Sequence, residues 1–112
     1  TLVVRKRGTQ AFMQAGGKID AGETPEQALL RELHEELGLT IAPGTARFVG
    51  RFEAPAIHEP GHLVIAEIYR LDLPDCPVSP AAEIAELRWI DPRAPGDLPL
   101  APLTRDHVLP RA

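Results

Sequence analysis

The stretch that decides this chain is Gly17-Lys18-Ile19-Asp20-Ala21-Gly22-Glu23, then Thr24-Pro25-Glu26-Gln27-Ala28-Leu29-Leu30, then Arg31-Glu32-Leu33-His34-Glu35-Glu36-Leu37-Gly38-Leu39. Thr24 followed by Pro25 and Gln27 reads as a helix start, with Thr24 as N-cap, Pro25 at the first helical position and Gln27 closing a capping box. Good helix formers run from Ala28 to Leu37, and Gly38 stands where a left-handed C-terminal cap belongs. At 100° per residue Leu29, Leu30, Leu33 and Leu37 share the flank that faces a core. Glu32, Glu35 and Glu36 fall together on the neighbouring flank, with Arg31 one turn before Glu35 and able to hold it. Such crowding of like charge repels, so it implies something cationic to hold.

Clustered carboxylates, with bare carbonyls from the Gly16-Gly17 turn, form an all-oxygen set suited to Mg²⁺ or Mn²⁺ and to a diphosphate that completes the coordination. Zinc is disfavoured, because it prefers His and Cys. A run of acids by itself is ordinarily a solvated helix face. The Gly-Gly turn, Glu23 and Arg31 shift the balance toward a metal site.

Gly17 through Leu39 reproduces the box G-x5-E-x7-R-E-U-x-E-E-x-G-U (U apolar) without a mismatch, and so resembles the Nudix hydrolase family. With each residue type near ~7% of ordinary usage, seven fixed and two apolar positions match by chance roughly once in 10⁹ starts. The resemblance implies an α/β fold, an α/β/α sandwich around a mixed sheet, and hydrolysis of nucleoside diphosphates linked to another moiety. By position, Glu32, Glu35 and Glu36 resemble the family's metal ligands, joined by the carbonyl of Gly16. Gly17, Glu23, Arg31 and Gly38 resemble the residues that support the loop and helix. The family places another strand before the one holding Val3. An upstream strand is therefore expected, or an N-terminal piece that is disordered or removed.

One domain over residues 1–112 is expected, because a chain this short buries only about 65% of its unfolded surface. Sixteen acids against 12 bases give a formal charge of −4, which argues against nonspecific binding of a nucleic-acid polymer. Cys76 is alone and makes no internal disulfide. No signal peptide or apolar span of membrane length is visible. The expectation is a cytoplasmic monomer or homodimer acting on a small nucleotide, away from membranes.

Strands are expected near Leu2–Arg5, over Arg47–Glu53 with Phe48 and Phe52 on one face and a bulge at Gly50, over Leu63–Leu73 as the central strand, and over Leu87–Ile90. Pro-rich connectors occupy 74–80 and 92–102, and Thr104–Leu109 reads as a short closing helix. His58-Glu59-Pro60-Gly61-His62 satisfies the H-E-x-x-H zinc signature. That chemistry needs a helix, and Pro60-Gly61 fits a turn between two strands instead.

Hydrolysis of a P–O–P bond requires a carboxylate to take the attacking water's proton. Glu35 and Glu36 are candidates unless metal ligation occupies them. Resemblance to family members with a glutamate in a loop near the end of the sheet points to Glu83, which precedes Trp89 at a similar spacing; Glu86 is the fallback. Arg7, and after it Arg5 or Lys18, are candidates to contact phosphates. The compact box and Gly16-Gly17-Lys18 look like the MutT-like branch that cleaves nucleoside triphosphates. ADP-ribose or nucleotide-sugar cleavage, and a noncatalytic nucleotide-binding module, are the alternatives. Familiar bacterial members read the purine with an asparagine near the position of Thr104. This chain has no asparagine, so 8-oxoguanine specificity is not expected. Pro55 is near, but not on, the register that marks ADP-ribose cleavage.

Overall fold

A computed structural model describes residues 1–56, 59–73 and 78–112. Strand β1 (Leu2–Lys6) leads into a long loop, helix α1 (Pro25–Leu37), a hairpin of β2 (Arg47–Pro55) and β3 (Leu63–Arg70), and strand β4 (Ile84–Trp89). A wide helical turn over Thr104–Val108 tightens into a 3₁₀ turn over Leu109–Arg111 and closes the chain.

Helix α1 forms as its local sequence dictates. The Thr24 hydroxyl accepts from the Gln27 amide, and the Gln27 side chain accepts from the Thr24 amide. Gly38, at φ 68°, turns the chain left-handed and donates to the His34 carbonyl. Leu33, Leu37 and the following Leu39 pack with Val4 and Ile84 as the buried core.

β1 and β4 pair antiparallel from Leu2 opposite Trp89 to Lys6 opposite Ile84, with a shift of register between Arg5 and Lys6. β2 and β3 pair antiparallel from Arg47 opposite Arg70 to Pro55 opposite Leu63. The ladders among the described residues are antiparallel, and the parallel component is one bridge between Phe12 and Leu100. An apolar cavity of about 670 Å³ lies between the two ribbons and α1, lined by Leu2, Leu29, Leu33, Ile68, Tyr69 and Trp89 among others.

Three strand expectations change. β4 begins at Ile84 rather than Leu87. β3 ends at Arg70 and, among the described residues, pairs only with β2; Leu63 and Ile65 are exposed, so it is an edge strand and not a central one. The register shift between Phe48 and Gly50 is the expected bulge, but its effect is larger than expected. Phe48 opposes Tyr69 and Phe52 opposes Ala66, three residues apart on β3 and hence on opposite faces. The bulge thus sends the two phenylalanines to different sides. Phe48 meets Tyr69 edge-on, while Phe52 stacks on His107 beneath the Arg111 guanidinium.

The Pro60-Gly61 turn is as expected: His62 donates to the Glu59 carbonyl, and Gly61 sits at φ 83°. No helix is present over residues 59–62, which removes the zinc reading there; Ile57 and His58 lie outside the described residues, as do Pro74, Asp75, Cys76 and Pro77. No described helix is long and apolar enough to cross a membrane.

Candidate active site

Helix α1 and the loop before it build the site around one guanidinium. Arg31 donates to both oxygens of Glu23, at 2.9 and 3.0 Å, to Glu32 at 2.6 Å, and to the Lys18 carbonyl at 2.9 Å. Asp20 lies 3.4 Å away, and Glu35 sits at 3.5 Å. Glu35 is thus the weak partner, and Glu23, eight residues upstream, the strong one. Glu23 also accepts from the Asp20 amide at 2.9 Å. Those two hydrogen bonds, Arg31's first, hold its carboxyl below the ordinary value.

The Gly16-Gly17 turn closes over the helix. Gly16, at φ 137°, donates its amide to Glu36 Oε1 at 3.0 Å. Its amide thus holds Glu36, while the resemblance put its carbonyl forward as a metal ligand. A Cβ on Gly17 would stand 2.5 Å from the Glu32 carboxyl carbon, so any larger residue there would push that carboxyl out of its place.

Glu36 is the unusual member. It is 1% exposed, and its second oxygen, Oε2, is buried without a hydrogen-bond partner among the described residues. Burial raises its carboxyl to about 7, against the opposing pull of the Gly16 amide; the Glu32 and Glu83 charges raise it further, and Lys6 lowers it. A buried carboxylate oxygen with nothing to bond is costly unless a cation or proton reaches it.

The remaining candidates separate. The Ala81 amide donates to the Glu36 carbonyl at 2.9 Å, docking the 81–84 turn on the helix end. That turn is closed by Ile84 donating to Ala81 and carries Ala82 at φ 53°, a left-handed conformation unusual for alanine. Glu83 follows, exposed, with Lys6 Nζ 3.2 Å from its Oε1. Glu86 is held between Arg88 at 2.9 Å and Arg5 at 3.3 Å, and Arg88 first keeps its pKa low. Arg7 is exposed and makes no ion pair among the described residues. Lys18 contributes its carbonyl to Arg31. Thr104 is fully buried and donates to Gln14 Oε1 at 2.6 Å, a structural peg between the loop and the closing turn.

Among the described residues no three His, Cys, Asp or Glu side chains converge as a formed metal site. Glu32 and Glu35 lean instead on Arg31. The donor set nonetheless fits a hard divalent cation: the candidate donor atoms are oxygens, and among the described residues Glu36 Oε2 is a buried acceptor with no partner. Lys6 is the residue that sequence reading missed. Its signal was parity, because Lys6 and the core residue Val4 share one face of β1.

The fold and this loop–helix arrangement define an α/β domain whose carboxylate-rich helix is braced against a Gly-Gly turn. The chain belongs to the Nudix family: the NUDIX domain matches residues 1–112. It is 79% identical over 46 residues, 41% of the chain and 34% of the relative, to an 8-oxo-dGTP diphosphatase of Haemophilus influenzae. It is 56% identical over 36 residues, 32% of the chain and 21% of the relative, to an RNA pyrophosphohydrolase of Photobacterium profundum. These alignments span about a third or less of each relative's length. A MutT NUDIX hydrolase from Burkholderia pseudomallei shares the fold, with a TM-score of 0.76 at 22% identity over 93% of this chain and 81% of that one.

Proposed function

We propose that this chain hydrolyses the diphosphate linkage of a nucleoside diphosphate derivative, most favourably a nucleoside triphosphate cleaved to monophosphate and pyrophosphate. The observation that carries the reading is Glu36: a buried carboxylate with an unpartnered oxygen, at the closed end of the Gly-Gly turn and beside Glu32. The diphosphatase and pyrophosphohydrolase names of the relatives support the same reaction class.

Glu32, Glu35 and Glu36 would hold Mg²⁺ or Mn²⁺, which when bound neutralises phosphate oxygens and acidifies water. Arg31 and Glu23 keep helix and loop in register, so the carboxylates stay along one side of α1 beside the Gly-Gly turn. Glu83, exposed beside this cluster, accepts the water's proton as the new O–P bond forms and the bridging P–O bond breaks, releasing pyrophosphate. Thr104 is buried and already bonded to Gln14, so it offers no base-reading group. This favours tolerance among bases over specificity for 8-oxoguanine.

The test is phosphate release from standard and oxidised triphosphates, ADP-ribose and nucleotide sugars with Mg²⁺ or Mn²⁺, with and without added pyrophosphatase. Signal from a triphosphate only when pyrophosphatase is present supports the reading. Glu36→Gln should then lose most turnover while keeping its fold. Silence across the panel with metal binding intact would favour a binding module instead.

A further inference from the structure

One residue departs from the local rules that the rest of the backbone follows. Ala82 stands at φ 53°, the one non-glycine at positive φ among the described residues. It is the second residue of a turn closed by the Ile84 amide, which donates to the Ala81 carbonyl at 3.0 Å. A positive φ at that position ordinarily calls for Gly, Asn or Asp, because a Cβ there crowds the backbone. The Ala82 side chain is exposed, so packing of its methyl group does not hold the conformation. What holds it is the backbone on either side.

Three attachments fix that backbone. The Ala81 amide donates at 2.9 Å to the carbonyl of Glu36, in the last turn of α1 where carbonyls lack partners within the helix. The Arg7 amide donates to the Glu83 carbonyl at 2.8 Å, which ties the turn to the end of β1. Ile84, 1% exposed, anchors the far side in the core beside Val4, Leu33 and Leu37. Glu36 therefore holds two loops at once. Its carboxylate accepts from Gly16 of the Gly-Gly turn, and its carbonyl accepts from Ala81 of the turn that carries Glu83. Glu83 lies close enough for its charge to act on the Glu36 carboxyl.

We infer that Ala82 is a positioning residue, whose left-handed turn, moored on the Glu36 carbonyl, fixes the backbone of Glu83 and with it the reach of that carboxylate toward the acidic side of α1. The inference rests on the reading of Glu83 as proton acceptor given above and adds what holds it in place. An exposed carboxylate on a free loop would sample many positions, and a small misplacement of a reacting group lowers the rate steeply. Strained backbone that its surroundings over-determine gathers where placement matters to the chemistry. Relaxation of Ala82 to negative φ would redirect the chain between Ala81 and Glu83, so one of the two moorings would part.

Kinetics and amide hydrogen exchange, on variants checked for folding by circular dichroism, test this. Valine and asparagine are similar in size, but β-branched valine resists the left-handed region and asparagine enters it readily. Ala82→Val should lower kcat about tenfold or more and leave KM and Mg²⁺ affinity unchanged. Ala82→Asn should keep the parental kcat. In the Glu83→Gln background Ala82→Val should lower kcat no further, since the effect acts through Glu83. In Ala82→Val the Ala81 and Arg7 amides should exchange about tenfold faster, while those of Val4 and Leu33 hold their rates. Parental kcat in Ala82→Val would overturn the inference, as would an equal loss in Ala82→Asn or a further loss without Glu83. Parental exchange at Ala81 and Arg7 in Ala82→Val would overturn it whether or not the protein cleaves a nucleotide. A protein that shows the exchange pattern yet cleaves nothing would sink the proposed activity and leave the mooring of Glu83 standing.

Discussion

Arg31 grips Glu23 through two parallel hydrogen bonds, Nε to Oε2 at 2.9 Å and Nη2 to Oε1 at 3.0 Å, and so ties the loop to the helix. A lysine carries the charge but not the fork. Arg31→Lys should therefore lower both Tm and turnover, the latter by about tenfold or more because the carboxylates lose their common support. Thermal unfolding and steady-state kinetics on one preparation check this. Unchanged turnover would show that the brace is dispensable.

Acid should release that brace. The folded pKa of Glu23 lies below its ordinary value of 4.5. Its contribution to stability is thus fully present above 4.5 and is lost as pH falls through the folded value. Glu23→Gln should be less stable than the parent at pH 7, and the difference should shrink in strong acid. Denaturant melts at pH 7, 4 and 2.5 measure it.

Glu36 should behave in the opposite sense. Its carboxyl is raised to about 7, so between 4.5 and 7 the folded state of the metal-free protein binds more protons than the unfolded one. Stability is full below 4.5 and is lost as pH rises through 7, by roughly 2–3 kcal/mol. With chelator present, Tm should fall from pH 5 to pH 8 in the parent and stay flatter in Glu36→Gln. A parallel fall in both proteins would remove Glu36 as the cause.

Two glycines should fail differently. Gly38→Ala forces a Cβ into the left-handed conformation at φ 68° and should cost about 1 kcal/mol of stability with little effect on chemistry. Gly17→Ala meets the far end of a movable side chain, the Glu32 carboxyl, 2.5 Å from the new Cβ. It should cost little stability but should weaken Mg²⁺ binding and turnover together. Paired melts and metal titrations separate the two.

What could be read from the sequence was what is local. The capping box, the left-handed Gly38 and the apolar flank of α1 depend on residues within one or two turns, and each is present as expected except that Leu30 stands outside the buried cluster. Helix spacing led to the Arg31–Glu35 contact, present at 3.5 Å, whereas the tighter grip on Glu23 depends on a loop that folds back. The faces of Phe48 and Phe52 were misjudged because a bulge adds one residue and reverses parity. Lys6 was passed over between two arginines of like charge. Only its strand face distinguishes it, and that face follows from Val4 being core. Glu83 was chosen by family spacing, and the structure sets it beside Lys6 and near Glu36.

The division into two ribbons has a consequence for how the protein breathes. Among the described residues β2 and β3 share no ladder with β1 and β4, and Phe48, Leu63 and Ile65 leave much of their surface in water. Amide protons of the hairpin should therefore exchange through a local opening that needs less free energy than global unfolding. Those of β1, β4 and the second half of α1 share the buried cluster and should exchange last. The cooperative unit that carries the chemistry is then smaller than the chain, and the hairpin can loosen or refold while the carboxylates keep their places.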